Sequence, residues 1–302
     1  DGKGYGPAVG TRVNGAVVAA QKGASALVMR SVGTDNNRTA HTGIMRYKEG
    51  VKKIPAATLS NPDADLLVNQ LKRGGDVSMY LKMTAKTDAE VVATSANVIG
   101  EFTGSELPNE IVSLGAHLDS WDVGTGALDD GLGIGMVMAA AHHIGKLPKR
   151  PKRTIRVILF AAEEVGLLGA FAYAKQHEKN LDNHVLATES DFGASNIWRI
   201  VSNVNPEATK LVDEIAKIIA PLGIVRGGSD IKGGGPDIIP IASKGVSTIR
   251  LSQEGSDYFD LHHTPDDTLD KINPDELAQN VAAYAATIFL LADSDVNLKA
   301  KR

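Results

Sequence analysis

The sequence predicts an α/β fold in which helices sandwich a mixed, mostly parallel sheet. Two observations predict it. From about residue 88 to the end, strand-like and helix-like segments alternate. Within that alternation RTIRVILFAAEE (153–164) opens as a near-continuous hydrophobic run, the signature of a central strand covered on both faces. The 302 residues, 43% of them hydrophobic, supply ample material for a packed core, as one large domain or two smaller ones.

The elements follow in order. Residues 1–87 form a first block: RVNGAVVAAQKGA is helix-like and SALVMRSV is a short apolar strand. NPDADLLVNQLKRGG carries a cap, helical periodicity and a Gly-Gly stop, and DVSMYLKMTA alternates like a strand. This block has no cluster of potential ligands, since His41 stands alone, and it reads as an accessory domain. Residues 88–302 form the second block. SANVIGEF and EIVSLGAHL are strands, LGIGMVMAAAHHIGKL a helix, RTIRVILFAA a strand and GLLGAFAYAKQHEKN a helix. HVLATESDFG runs from strand into loop, NIWRIVS and VSTIRLS are strands, and PEATKLVDEIAKIIAPLG and the capped NPDELAQNVAAYAATIFLLADS are helices.

Composition excludes several classes. With a net charge of −4, 5% aromatics and no basic stripe, nothing argues for nucleic acid as a partner. No segment approaches the roughly 20 apolar residues that span a bilayer, so no membrane span is expected. There is no cysteine, so any metal must be held by His, Asp or Glu. The chain starts at Asp1 without an initiator Met or a signal-peptide pattern and reads as a processed, trimmed or partial product.

The chemistry concentrates where strands end. HLD (117–119), LDD (128–130), EE (163–164), ESD (189–191) and LHHTPDD (261–267) each follow a hydrophobic strand or sit in a loop beside one. In open α/β sheets ligands bind beyond the carboxyl ends of the strands. Strands lying side by side would bring His117, Asp129, Glu163, Glu164, Asp191 and one of His262 or His263 together. So many carboxylates cannot all stay charged in a small volume without cations. Two divalent metals would resolve the conflict, and mixed His and carboxylate ligands without thiolate suit zinc better than calcium. Taken singly, each cluster has a bland reading, such as a solvated helix start for EE or a capped turn for HHTPDD. Their conjunction at successive strand ends does not.

Together GAHLDSW, GALDDGLG, FAAEEVGLLGA, ESDFG and LHHTPDDTLD resemble, in order, the motifs of the co-catalytic dizinc exopeptidases, the aminopeptidase family. The branch they most resemble is the carboxypeptidase Q-like peptidases. GAVVAAQKGASALVMRSVGTD, HTG and IPAATLSNPDADLL in the first block are similar to the protease-associated domain of that branch, a smaller α+β unit. In the branch the catalytic domain begins before that inserted domain, and here no such leading segment is present.

The resemblance implies two zinc ions and a role for each residue. His117 and Asp191 are implied as ligands of one metal, Glu164 and His263 of the other, and Asp129 as the bridge between them. Asp119 is implied to orient His117, and Glu163 to be the general base; His262 is expected outside the ligand set. A cis Asp129–Asp130 bond is expected as well. The place of an oxyanion-stabilising tyrosine reads KGGGPD, leaving the N–H groups of Gly233 to Gly235, or Tyr258, as candidates. The implied activity is hydrolysis at the free N-termini of short peptides or dipeptides. Amide deacylation, glutaminyl cyclisation and a non-catalytic binding ectodomain stay open as alternatives. A secreted or periplasmic location follows from the resemblance, and a homodimer is left open.

Overall fold

The computed structural model describes residues 4–85, 92–193, 195–229 and 233–300. The expected boundary between residues 87 and 88 lies outside the described residues. The chain forms two compact units. The first comprises Asp1–Thr94, Trp121–Thr125 and Ser256–Asp267; the second comprises Ser95–Ser120, Gly126–Gly255 and Thr268–Arg302. The division therefore differs from a simple cut into two consecutive blocks, because two short stretches of the later sequence join the first unit.

In the first unit, α1 (Tyr5–Gln21) precedes β1 (Leu27–Arg30), which pairs in parallel with β2 (Ala56–Leu59). Helix α2 (Asn61–Arg73) starts as its sequence promises: the Ser60 hydroxyl accepts from Asp63 N at 3.2 Å, and a proline occupies the first turn. A one-turn helix, α7 (Tyr258–Leu261), belongs to the same unit. DVSMYLKMTA, expected as a strand, forms none. All ten of its residues are exposed, and with no neighbouring strand to pair with, alternation alone cannot hold a ladder.

The second unit is built on a seven-stranded sheet in the order β3-β5-β4-β6-β9-β7-β8. Its strands are β3 (Val98–Phe102), β4 (Leu107–His117), β5 (Arg153–Phe160), β6 (His184–Glu189), β7 (Ile197–Asn203), β8 (Val225–Ser229) and β9 (Thr248–Gln253). Only β3 with β5 and β7 with β9 pair antiparallel, so the sheet is mixed and mostly parallel, as expected. The helices are α3 (Leu132–Gly145), α4 (Leu168–Gln176), α5 (Pro206–Ile219), the one-turn α6 (Ile239–Ala242) and α8 (Pro274–Ala292). Val112, Leu114 and Ala116 of β4 pack with Val137 and Ala140 of α3 and with Tyr284 and Ile288 of α8. Ile158 and Phe160 of β5 pack with Ala170 and Tyr173 of α4 in a second cluster. β4 sends Val112, Leu114 and Ala116 into the first cluster, whereas β5 carries Ile155 and Leu159 into the first and Ile158 and Phe160 into the second, which is why β5 reads as a near-continuous hydrophobic run.

The fully buried Arg153 ties the start of β5 to the chain's end. Its Nε donates to Glu110 at 2.7 Å, and its terminal nitrogens donate to the carbonyls of Ser294 and Val296 at 2.7 and 2.8 Å. A guanidinium is tolerated there because its donors meet acceptors.

Candidate active site

Strands β5, β4 and β6 are neighbours and run parallel, with β4 in the middle, so their carboxyl ends open on one edge. His117 is the last residue of β4 and pairs in register with Phe160, the last residue of β5. Glu163 and Glu164 come just after Phe160, and Asp191 two residues after the end of β6. Sheet order alone gathers these side chains.

At the centre is His117, which is almost fully buried. Its Nδ1 lies 2.8 Å from the carbonyl of Asp119, which can only accept, so Nδ1 carries the proton and Nε2 points the other way. Nε2 faces Asp129 Oδ1 at 3.1 Å and Asp191 Oδ1 at 3.5 Å. Burial disfavours an imidazolium here, but hydrogen bonds to Asp129 and Asp191 outweigh it and raise the His117 pKa well above the ordinary value. A nitrogen lone pair turned toward two carboxylates calls for a cation between them. The donor set, one imidazole and carboxylate oxygens, suits zinc.

Asp129 and Asp130 divide their work. The bond between them is cis. Asp130, fully buried, accepts from the backbone N–H of His117 at 3.0 Å and of Gly133 at 3.1 Å. A Cβ on Gly133 would lie 2.1 Å from Asp130 Oδ1, so glycine is required for that approach. His117, Asp130 and Asp191 also bring one ligand atom each within 4.8 Å of one another. Since both Asp130 oxygens are occupied by N–H donors, Asp129 is the better donor to a cation.

Asp119 does something other than expected. Its carboxylate stands 3.8 Å from His117 Nδ1, beyond hydrogen-bonding distance, and its backbone carbonyl holds the ring instead. The carboxylate accepts from the backbone N–H groups of Glu163 and Glu164 at 2.9 and 3.1 Å. Ala162, at φ 57°, turns the chain sharply at the end of β5 and starts the loop that carries the two glutamates. Burial first, then the Asp191 charge, push Glu163 up to about 9.

The sequence reading gave no role to two further acids. Glu189, the last residue of β6, accepts from Asp237 N at 2.9 Å, and both are buried. Burial, then their mutual repulsion, raises Glu189 well above the carboxylate range. Burial pushes Asp237 up to about 7. Gly235, at φ 134°, lies so close that a Cβ would come 2.3 Å from Glu189 Oε2. KGGGPD was read for its glycine N–H groups, and nothing local marked Asp237 as buried.

The first unit holds the histidines of LHHTPDD. His263, at φ 60°, has Nδ1 3.2 Å from the Thr42 carbonyl, and its own carbonyl accepts from Thr42 N at 2.9 Å. With Nδ1 turned to that carbonyl, Nε2 is the nitrogen that could face a metal, as on His117. His262 is buried against the rings of Tyr5 and Tyr258, with centroids 5.1 and 4.5 Å away. Tyr258 is itself buried in that stack. The expectation that His41 stands alone is overturned: its ring centroid lies 4.9 Å from that of His262 and 5.0 Å from that of His263. The three histidines offer ring nitrogens within 4.8 Å of one another. Sequence separation hid the cluster.

The chain belongs to peptidase family M28, whose model matches residues 97–288. Among individual proteins, it is 36% identical to carboxypeptidase Q of Mus musculus and of Homo sapiens, over 97% and 96% of its length. It spans 61% of the length of each of those relatives. A crystal structure of a peptidase M28 precursor from Shewanella amazonensis is 50% identical, with a TM-score of 0.88 over 98% of this chain and 66% of that one. A zinc aminopeptidase from Bacillus subtilis, 22% identical with a TM-score of 0.63 over 95% of this chain and 68% of that one, shares the fold.

Proposed function

We propose that the protein is a zinc-dependent exopeptidase that hydrolyses the N-terminal peptide bond of short peptides or dipeptides. The observation that carries the proposal is His117 Nε2 aimed at Asp129 and Asp191 at the ends of parallel strands. Two zinc ions would complete the reading: His117 and Asp191 would hold one, Glu164 and His263 the other, and Asp129 would be shared. Bound zinc would polarise the scissile carbonyl and make a water nucleophilic near neutral pH.

The chain's own groups supply the rest. Asp119 fixes the peptide bonds that carry Glu163 and Glu164. Glu163 takes the proton of the attacking water and passes it to the leaving amine. The acids around the centre supply negative charge for a substrate ammonium. A location outside the cytoplasm belongs to the same proposal; no described helix is long and apolar enough to cross a membrane.

The test compares a dipeptide with its N-acetylated and C-amidated forms, with and without a chelator, alongside the metal content per chain. Loss of hydrolysis on acetylation and on chelation, with amidation tolerated, supports the proposal. Acetylation tolerated and amidation not would reverse the polarity of the enzyme. Turnover that survives metal removal would end the reading.

A further inference from the structure

The first unit contains a cavity of about 380 Å³, within the range of small-ligand sites. Leu27, Met29, Met45, Ala57 and Val123 contribute to its walls, and Arg12 of α1 lines it as well. Arg12 is only 8% exposed. A guanidinium cannot shed its charge at any accessible pH, so burial without a counter-charge is costly. Yet Arg12 forms no ion pair with a carboxylate among the described residues.

What Arg12 does bond carries no negative charge and lies to one side. One terminal nitrogen donates to the Thr42 carbonyl at 2.9 Å and contacts His41 Nδ1 at 3.2 Å. Among the described residues no hydrogen bond from the opposite edge of the fork is found, and Nε is buried without a partner. One face of the group lies against Gly43, where a Cβ would stand 2.1 Å from the central carbon and 2.5 Å from Nε. The guanidinium is thus fixed by two contacts and a glycine platform, with its side-on edge left over. That edge, Nε with the second terminal nitrogen, is suited to gripping a carboxylate with two parallel hydrogen bonds.

We propose that this cavity is a binding site for a small carboxylate with an apolar body, the carboxylate resting on the free edge of Arg12 and the body against Leu27, Met29, Met45 and Val123. A free amino acid and the C-terminal residue of a short peptide share this chemistry. None of the five proposed metal ligands lines the cavity.

The experiment is calorimetric titration of the zinc-loaded protein with N-acetyl-L-leucine, and with N-acetyl-L-leucinamide as the uncharged control. Saturable binding of the acid, at least tenfold tighter than of the amide, is expected. Arg12→Met should weaken it at least tenfold. Ala57→Leu, which fills the cavity and leaves the guanidinium in place, should do the same, and it keeps the test alive if Arg12→Met fails to fold. Glu164→Gln should leave the binding unchanged. Equal binding of acid and amide, or binding that survives Ala57→Leu and is lost in Glu164→Gln, would overturn the site. N-acetyl-alanyl-leucine binding tighter than N-acetyl-leucine assigns the site to peptide C-termini; equal or weaker binding assigns it to single amino acids.

Discussion

The carboxylate of Asp119 accepts from the backbone N–H of Glu163 at 2.9 Å, and its second oxygen takes the N–H of Glu164 at 3.1 Å. One side chain therefore sets two adjacent peptide planes, and with them the directions of two glutamates with different proposed roles. Asp119→Ala should lower activity about 10–100-fold, the scale of losing a group that orients a metal ligand. Asp119→Asn should do nearly as much harm, because its amide group would meet one N–H donor with another. Steady-state kinetics and zinc titration check both; unchanged activity in Asp119→Ala would refute the positioning role.

The adjacent glutamates should fail differently. Glu163→Gln is expected to keep its zinc and lose about 10²–10⁴-fold in turnover, the usual worth of a general base. Glu164→Gln should lose affinity for zinc itself. Metal analysis after gel filtration separates them, and equal zinc loss in both would contradict the assignment.

Arg153→Met removes the donors to Glu110, Ser294 and Val296. Breaking a buried charge pair and stranding its acceptors costs about 3–5 kcal/mol, so the urea midpoint should fall clearly. Arg153→Lys should recover little, since one ammonium cannot reach acceptors arranged for a planar fork. A midpoint within error of the parent would show that the C-terminal tie contributes nothing.

The acid side of the stability profile should carry a histidine signature. His184 is buried beside the Arg156 charge, and both lower its pKa, to about 4. Arg156 donates to the Tyr173 hydroxyl at 3.0 Å, and that hydroxyl donates to His184 Nε2 at 2.7 Å, which requires a neutral ring. In the unfolded chain the ring titrates near its ordinary value of about 6.5. The unfolded state thus takes up the proton first as pH falls. The contribution is complete above about 6.5 and lost progressively down to about 4, some 3 kcal/mol in all. His184→Gln keeps an acceptor for Tyr173 and should flatten the profile across that window. Profiles of the same slope would disprove the linkage.

Much of this was legible in the sequence. The long hydrophobic runs of β4 and β5 and the capped helices α2, α5 and α8 declare themselves, because periodicity, caps and burial agree. β8 did not, since VRGGS has no alternation and takes its strand character from pairing with β7. The ends of β4, β5 and β6 could be marked as a site because acids after buried strands are physically anomalous. Asp130, Glu189 and Asp237 are anomalous too; the first two accept from backbone N–H groups, and no spacing rule separates that from a solvated turn. His41 was missed for a further reason. Its neighbours are histidines from the other end of the chain, and one sequence carries no record of such a pairing.

The first unit is completed by a segment near the other end of the polypeptide, with Thr42 bonded to His263 and Thr34 to Phe259. Its birth on the ribosome is therefore delayed. Between Thr94 and Ser256 lie about 160 residues, which take roughly 8–30 s to add at typical synthesis rates. For that interval α1, β1, β2 and α2 wait without the strip that carries Tyr258, Phe259 and His262. An apolar surface left waiting so long is the stretch most in need of a chaperone, and the loss of a late segment would be felt first at the opposite end of the chain.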